Sequence, residues 1–572
     1  MDKPSKPILA FVRQIAHEQN RVTTAPIAAR ASLHRGLSST NKLWVTCNTC
    51  LILGPHNAFT TTTKLSQFAT NFFEAVFSDI GTGKQQFHGQ MDYKAAGLYT
   101  LDEALETVGF GKFQGFVLGY AGLGWFAEAM EIMILSFIGQ AVKSEWQLSS
   151  GQESLLSTIV FAGMLLGANT WGLLSDNYGR RKGFLTISMV TFGAGLLSTF
   201  SPNYLTLVVL RGLVGFGLGG SSVFLSWFLE FIPASNRGMW MVVFSTFWTF
   251  GSIFEAALAW IVMPRLNWRW VLAFSAVPSF ALLILYGVAP ESPRYLCMKG
   301  NTSDALRILE KIASVNQTKL PPGVLLSGRS NDKDEESSPS ENTAPLLPSL
   351  SKTTTQSKSG FSSFFMLFSP KLIRTTLLLW VLFFGDSFSY YGIILLTSKL
   401  SSGQSTCFPS LQSNINPQDD GLYLNAFITS MAELPGLLLS AILVDRVGRK
   451  QSMAIMFGLA FIFLSPLLIQ QPAVLTTCLL FGARMNAMGT FTVASIYSPE
   501  LYPTSVRTTG AGVASAIGRI GGMVCPLVAV GLVNECHQTA AVALFLVAIV
   551  VSIVCIQLFP YDTKGRELSD TS

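Results

Sequence analysis

Charged residues are scarce in this chain. Lys, Arg, Asp and Glu make up 13% of the 572 residues, whereas soluble domains carry about 25%. The net charge of +6 is spread out, without a basic groove or zinc-ligand spacing, which argues against a nucleic-acid partner. The sequence also lacks a nucleophile elbow, a P-loop and a metal-ligand cluster, so we expect neither an enzyme nor a metal or other cofactor.

Cysteine is rare as well, and the 8 cysteines do not form the framework of a disulfide-rich domain. Cys47 and Cys50 form a single CxxC without a second pair, which is a weak signal for metal or redox chemistry. Cys407 and Cys536 both fall in loops predicted to be outside, so a disulfide between them is left open.

Long apolar runs are abundant by contrast. A membrane span needs about 20 apolar residues, and twelve such segments follow one another from Phe113. Numbered as spans 1 to 12, they lie at 113–138, 154–174, 184–200, 203–223, 239–261, 270–289, 372–397, 421–442, 451–469, 474–494, 509–532 and 539–559. The sequence therefore predicts an all-α membrane protein with twelve transmembrane helices.

A polar insert, Lys299–Pro370, separates spans 6 and 7, and its stretch Ser327–Ser359 has the composition of a disordered linker. The spans thus divide into two six-helix bundles. The predicted organisation is an N-terminal extension (1–96), a cytoplasmic lead-in (97–112), the first bundle (113–296), a partly disordered cytoplasmic linker (297–371), the second bundle (372–560) and a cytoplasmic tail (561–572).

Basic residues collect in the loops on one side of the membrane. The loops after spans 2, 4, 8 and 10 contain Arg180, Arg181, Lys182, Arg237, Arg446, Arg449, Lys450 and Arg507. The positive-inside rule places these loops, both termini and the insert in the cytoplasm. The sequons at Asn301 and Asn316 then lie inside, so we expect neither to be glycosylated.

The extension before the first span has an unusual composition. Residues 1–73 contain only Asp2 and Glu18 as acids, and they are rich in Arg, Ser and Thr. This is typical of an organelle transit peptide, but also of a disordered tail or mis-assigned upstream sequence. We favour the last two interpretations, because a core that begins at Gly97 needs nothing from this stretch.

Three charged markers repeat between the two halves. The motif from Asp176 to Arg180 corresponds to the motif from Asp445 to Arg449, at an offset of 269 residues (445 − 176). The motif from Glu230 to Arg237 corresponds to the motif from Glu500 to Arg507, at an offset of 270 (500 − 230). Arg211 corresponds to Arg484, at an offset of 273 (484 − 211). A nearly common offset indicates the parallel repeat of a two-domain carrier, with its site between the halves.

These motifs resemble those of a known family. The loop Gly172–Lys182, the glycine-rich stretch after Arg211, and Pro290–Arg294 are similar to signatures of the major facilitator superfamily. Gly124–Glu131 and Tyr497–Pro503 resemble its synaptic-vesicle-protein-related branch, above all the plant organic cation/carnitine transporters, some of which are described as nicotinate transporters. The resemblance covers about residues 97–560 and implies two pseudo-symmetric bundles that rock about a central site.

The charges of the cytoplasmic motifs are suited to gating. Carboxylates and guanidinium groups can form charge-assisted bonds that tie helix ends together, and the resemblance implies that such networks hold the outward-facing state. The residues assigned to gating are Asp176, Arg180, Arg211, Glu230, Arg237, Asp445, Arg449, Arg484, Glu500 and Arg507.

Carboxylates inside the spans are candidates for proton coupling, since each buried charge costs about 2.5–3.5 kcal/mol. Glu128 and Glu131 are three residues apart in span 1 and share one helical face. Two carboxylates so close cannot both ionise easily, so one is expected to hold a proton. Glu433, before Pro435 in span 8, where the helix is expected to break, serves either coupling or capping.

Four residues of the second bundle are candidates for substrate binding. Arg519 lies mid-span, and the resemblance to organic-ion transporters implies that a basic residue there selects anions. The alternative for Arg519 is a salt bridge to Asp386 or Glu433. Asp386, Tyr390 and Tyr391 lie together in span 7, where the tyrosine rings could contact a flat ligand.

The leading hypothesis is a proton-coupled, rocker-switch carrier of a small organic carboxylate, with nicotinate as the best single guess. The close alternative is a zwitterion such as carnitine, its ammonium facing Asp386 or Glu131. A sugar carrier is disfavoured by the apposed charges, and a non-transporting receptor or regulator by the intact gate motifs.

The expected partners are this anion or zwitterion, protons and the lipid bilayer. We expect a monomer in the plasma membrane, with a vacuolar or organelle membrane as alternatives.

Overall fold

The computed structural model describes residues 98–233, 237–326, 365–401, 420–503, 506–535 and 537–563, and these are mainly helical. The predicted extension (1–96), Cys407 and Cys536 lie outside them. The helices before the linker are α1 (Leu101–Val108), α2 (Lys112–Met133), α3 (Leu135–Trp146), α4 (Ser150–Tyr178), α5 (Arg180–Thr199), α6 (Tyr204–Leu218), α7 (Ser221–Leu229), α8 (Arg237–Val262), α9 (Trp268–Ser275), α10 (Val277–Leu285), α11 (Pro293–Met298) and α12 (Thr302–Asn316). The later helices are α13 (Ile373–Ser401), α14 (Asp420–Ser430), α15 (Glu433–Val447), α16 (Arg449–Leu464), α17 (Ala473–Leu501), α18 (Arg507–Pro526) and α19 (Gln538–Leu558).

Ten of the predicted spans are, within the described residues, long and apolar enough to cross a membrane. The other two, spans 3 and 10, are helices (α5 and α17) at the predicted positions. They are less apolar because α5 opens on Arg180, Arg181 and Lys182, whereas α17 carries Arg484 and Asn486. Spans 1, 4, 6 and 8 each consist of two consecutive helices.

The outer faces of the helices expose large apolar side chains. Leu166 and Leu173 of span 2 and Val547 of span 12 are all well exposed. A soluble protein would not expose so many such residues together. The surface is therefore suited to contact with lipid.

Several spans are interrupted near their middle. Span 1 changes from α2 to α3 at Ile134, one turn after Glu131. Span 8 changes from α14 to α15 immediately before Glu433, so the predicted interruption near Pro435 is confirmed. In span 11, α18 continues into a π-helical segment, Leu527–Leu532. Freed backbone groups are tolerated in a membrane where protein groups surround them, so these interruptions mark the buried interior.

Glycines let spans 2 and 4 pack backbone to backbone. A Cβ atom on Gly215 would lie 2.1 Å from the Val160 carbonyl oxygen, and one on Gly219 would lie 2.5 Å from that of Met164. Only glycine permits such an approach. This packing explains the glycine-rich motif and holds Arg211, which precedes it, in the interior of the first half.

Spans 3 and 9 are built alike at the ends that are predicted to be cytoplasmic, and we call these the cytoplasmic ends. Gly179 and Gly448 precede α5 and α16 with φ angles of 108° and 90°, which residues with a Cβ atom rarely adopt. The first N–H of α5 donates to Glu291 at 2.9 Å, and that of α16 donates to Asp562 at 3.2 Å. Burial raises the pKa of the Glu291 carboxyl, and these amide bonds oppose the shift. Glu291 and Asp562 are 271 residues apart (562 − 291), so they extend the internal repeat.

The start of the predicted linker folds back onto the lead-in. The two-residue strands β1 (Leu98–Tyr99) and β2 (Val324–Leu325) pair in parallel. The amide of Asn316, at the end of α12, accepts the N–H of Phe113 at 3.0 Å and donates to Gln114 at 2.7 Å. These contacts fix the cytoplasmic entry of span 1.

We predict that Gly179→Ala and Gly448→Ala each destabilise the fold by about 1–3 kcal/mol, because both positions have positive φ. A Cβ atom would also lie 2.6 Å from a carboxylate oxygen of Glu291 or Asp562. Thermal unfolding of the purified protein in detergent measures the effect. Gly458→Ala, in the open middle of α16 with no atom within 4 Å, is the matched control. Equal melting temperatures for all three variants would contradict the account.

Candidate functional site

An ion pair near the middle of spans 1 and 11, which we call the midplane pair, joins the two halves. Arg519 in span 11 donates from Nη2 to Oε1 of Glu128 in span 1 at 3.3 Å, and Glu128 is 1% exposed. The Nη1 atom of Arg519 lies 3.7 Å from the sulfur of Met164. Tyr391 lies beside the guanidinium, with its ring centroid 4.8 Å from that of Phe161. Opposite charges and aromatic rings from both halves thus meet at one point.

The alternative prediction for Arg519, a salt bridge to an acid of the second half, is wrong. Its carboxylate partner is Glu128 of the first half, rather than Asp386 or Glu433. Asp386 is 2% exposed and accepts a hydrogen bond from Thr490 at 2.6 Å, and it makes no ion pair within the described residues. Asp386 therefore stays available as a second acidic group near the site.

A chain of polar contacts runs from span 5 to span 10. Trp248 donates to the Tyr390 hydroxyl at 2.8 Å, and that hydroxyl donates to Glu433 at 2.9 Å. Glu433 also accepts from Arg484 at 2.7 Å, and this ion pair is fully buried. Tyr390 and Glu433 are thus held by protein partners, and Arg484 lies in the membrane interior, apart from the cytoplasmic gate residues.

The two acids of span 1 do not share a site. Glu131 pairs with Arg211 inside the first half, Oε2 to Nη1 at 2.8 Å, whereas Glu128 pairs with Arg519 across the interface. Arg211 also donates to Ser198 at 3.3 Å. The expected crowding of two carboxylates is thus relieved by two separate guanidinium groups, and Arg211, like Arg484, lies away from the cytoplasmic motifs.

Glu255 in span 5 is a buried acid that is absent from the predicted candidates. Its two carboxylate oxygens lie 2.9 and 2.8 Å from the single hydroxyl of Ser275, and Glu131 and Arg211 lie close enough to interact electrostatically. Two acids therefore lie near one guanidinium in a buried region. A charge inside a span, the same signal that identified Glu131, would have found it.

Two guanidinium groups hold the cytoplasmic helix ends. Arg180 contacts Asp176 and donates to Glu230 at 3.0 Å. Arg449 makes two parallel bonds to Glu500, both at 3.1 Å. These pairs connect helices of the same half.

The other predicted gate residues behave differently. Asp445 is exposed and makes no ion pair within the described residues, because the bidentate bonds of Arg449 go to Glu500. The Nε atom of Arg507 donates to the Tyr502 carbonyl at 3.3 Å. The side chain of Arg237 lies outside the described part of the chain.

A second charged cluster, which we call the outer cluster, joins the halves on the predicted outer side. Glu153 at the start of span 2 accepts from Lys143 at 3.2 Å, from Lys399 of span 7, and from Asn534 after span 11 at 2.9 Å. Glu153 and Lys399 are 2% and 8% exposed. Glu153 is not among the predicted site residues, because it borders a predicted span instead of lying inside one.

Aromatic contacts reinforce this side. The ring centroids of Phe137 in span 1 and Tyr423 in span 8 lie 5.8 Å apart. Trp260 in span 5 stacks on Phe427 in span 8, with the ring centroids also 5.8 Å apart. The cytoplasmic ion pairs, by contrast, stay within one half. The halves are therefore held together at the midplane and toward the outside.

Comparisons with known proteins agree with this architecture. Residues 110–572 match the family described as sugar (and other) transporters. The chain belongs to this family of the major facilitator superfamily. It is 56% identical over 483 residues to organic cation/carnitine transporter 7 of Arabidopsis thaliana, covering 83% of this chain and 96% of that protein. It is 37% identical over 486 residues to the synaptic vesicle 2-related protein of Xenopus laevis, covering 83% of each.

A solved structure supports the fold. The partially occluded, inward-open xylose transporter XylE of E. coli aligns with a TM-score of 0.60 and 15% identity, covering 80% of this chain and all of that one. The predicted fold, a twelve-helix major facilitator with two pseudo-symmetric bundles, is thus confirmed, as is the resemblance to the synaptic-vesicle-protein-related and organic cation/carnitine branch. The protein is a multi-pass membrane transporter.

We predict that Lys399→Met opens this transporter toward the outside. Removing one partner of a buried pair costs about 3–5 kcal/mol when nothing replaces it, and Lys143 compensates in part. The measurement uses a Cys in place of Phe137, in a background without other cysteines, and an impermeant maleimide added outside. We expect this Cys to react about tenfold faster in the Lys399→Met variant than in the protein that keeps Lys399.

Glu145→Gln is the matched control, because the Arg269–Glu145 pair (2.9 Å) also lies on the outer side but joins helices of one half. Unchanged labelling in Lys399→Met, or an equal increase in Glu145→Gln, would show that the outer cluster does not hold the halves together.

Proposed function

We propose that this transporter carries a small zwitterion of the carnitine class, with a quaternary ammonium and a carboxylate, by alternating access of its halves. The observation that carries the proposal is the Glu128–Arg519 pair at 3.3 Å, which offers both charges between the halves. The 56% identity to a protein named organic cation/carnitine transporter 7 favours this substrate class over a simple acid.

A zwitterion can replace the direct ion pair with two ion pairs of its own. Its carboxylate would bind the guanidinium of Arg519, whose planar donors match a carboxylate. Its ammonium would face Glu128 and the rings of Tyr391 and Phe161, since cations are attracted to aromatic faces. Such a ligand keeps both buried charges paired while the halves separate, and this lowers the cost of the movement.

A second candidate is a small acid such as nicotinate, carried with a proton. The favouring observation is that Glu128 is the ion-pair partner of Arg519. If Glu128 takes up a proton, Arg519 is left with an unpaired charge that an organic anion can neutralise. Glu131 and Glu255, beside Arg211, are further candidates for proton coupling. We propose a monomer in the plasma membrane for either substrate.

Uptake by two variants of the full-length protein expressed in yeast, Arg519→Ala and Glu128→Gln, distinguishes between the two candidate substrates. Arg519→Ala is expected to reduce uptake of labelled carnitine and nicotinate by about tenfold or more, because both carry a carboxylate. Glu128→Gln is expected to abolish carnitine uptake. The same variant keeps nicotinate uptake but removes its pH dependence, because a neutral side chain mimics the protonated acid.

Arg265→Ala is the control, because within the described residues this exposed guanidinium donates to a single group, the carbonyl of Ile261 at the end of α8. Carnitine uptake that survives Glu128→Gln would overturn the zwitterion proposal. A correctly inserted wild-type protein that moves neither compound, nor xylose as a sugar control, would favour a receptor or regulator.

A further inference from the structure

A small cavity lies among helices of the first half, and Glu128, one of its lining residues, also reaches the interface between the halves. Spans 1, 3, 4 and 6 surround it. Its polar lining consists of Glu128, Ser188, Thr191 and Ser279, and the rest is apolar or glycine, such as Gly217 and Phe224. One carboxylate and three hydroxyls therefore face a common space in the membrane interior.

Two of these hydroxyls have no protein partner among the described residues. Ser188 and Thr191 are 2% and 4% exposed, and neither side-chain oxygen makes a hydrogen bond. Some buried hydroxyls in the helices, such as that of Ser198, donate to a carbonyl of their own helix, whereas others, such as those of Thr249 and Ser389, also have no partner among the described residues. Ser188 and Thr191 differ from these in lining one cavity together with a carboxylate. A buried hydroxyl without a partner costs about 1–3 kcal/mol, so the cavity is expected to hold water.

Glu128 lies between this cavity and the interface. On the interface side it meets Arg519 and Tyr391 of the second half. The residues that spans 3, 4 and 6 contribute to the cavity are all uncharged. Arg211, the nearest basic residue of the first half in span 4, is engaged by Glu131. A proton that enters the cavity thus meets Glu128 as its only lining acid.

We propose that the cavity is the route by which a proton reaches Glu128, on the side of this carboxylate that faces away from the substrate. A water held by Ser188 and Thr191 passes a proton from hydronium to the Glu128 carboxylate, which gives the neutral acid and water. The neutral acid releases Arg519, and the substrate carboxylate binds it from the interface. This inference rests on the proposed proton-coupled transport.

The test uses full-length protein in liposomes with labelled nicotinate, because the proton-coupled proposal concerns a small acid and a zwitterion would need Glu128 ionised. Counterflow reports binding and alternating access without net proton movement, whereas accumulation driven by a pH gradient reports coupling. For Ser188→Ala with Thr191→Val we expect gradient-driven accumulation to fall about tenfold or more, as expected for a lost proton-transfer group. Counterflow should stay within about twofold.

Two further variants make the result specific. Ser440→Ala with Thr492→Val removes buried hydroxyls that donate to their own helix, at 2.8 and 3.0 Å, and should leave both activities intact. Ser188→Thr with Thr191→Ser keeps both hydroxyls in the cavity and should keep coupling.

Each outcome is decisive. Normal accumulation in the Ser188→Ala, Thr191→Val variant overturns the inference. Loss of counterflow in this variant, or a raised substrate concentration for half-maximal transport, means that the two side chains serve packing or substrate binding, and this also overturns the inference. Wild-type protein that shows counterflow but no gradient-driven accumulation refutes proton coupling, and wild-type protein that shows neither refutes transport of the small acid.

Discussion

The cost of burying charge in a low-dielectric interior is the constraint on which this transporter depends. Arg211, Arg484 and Arg519 lie within the spans, and each has one carboxylate partner. Breaking such a pair leaves an uncompensated buried charge, which costs about 3–5 kcal/mol. The halves can therefore separate only if something replaces Glu128–Arg519, the one of these three pairs that crosses between them.

The repeated halves use this constraint differently. The cytoplasmic ends are nearly symmetric: Glu291 and Asp562 cap equivalent helices, beside Arg180 and Arg449. The interior is not symmetric. Arg211 pairs with Glu131, which lies in the first span of its half, whereas Arg484 pairs with Glu433, which lies in the second span of its half. The first half thus keeps an additional acid, Glu128, which pairs with the second half.

The sequence predicted the positions of the helices better than the partners of the charges. Span positions follow from runs of about 20 apolar residues, and the common offset of the motifs revealed the repeat. Partners depend on which helices face each other, so the contact between Glu128 and Arg519, 391 residues apart, leaves no local signal. Arg211 was grouped with the cytoplasmic motifs for the same reason, since a repeat offset does not report depth in the membrane.

The midplane site and the outer cluster are built on the same four spans. Spans 1, 2, 7 and 11 carry Glu128, Phe161, Tyr391 and Arg519 at the midplane, and Lys143, Glu153, Lys399 and Asn534 lie farther out along them.

The spacing along these spans matches in pairs. It is 8 residues in spans 2 and 7 (161 − 153 and 399 − 391), and 15 in spans 1 and 11 (143 − 128 and 534 − 519). At about 1.5 Å per residue these are helical distances of roughly 12 and 22 Å. In the proposed mechanism, a substrate that alters the midplane pair would therefore move helices that end in the outer cluster, because packed helices switch between discrete arrangements and cannot deform continuously. Binding at the middle and opening at the outside would then be two consequences of the same movement.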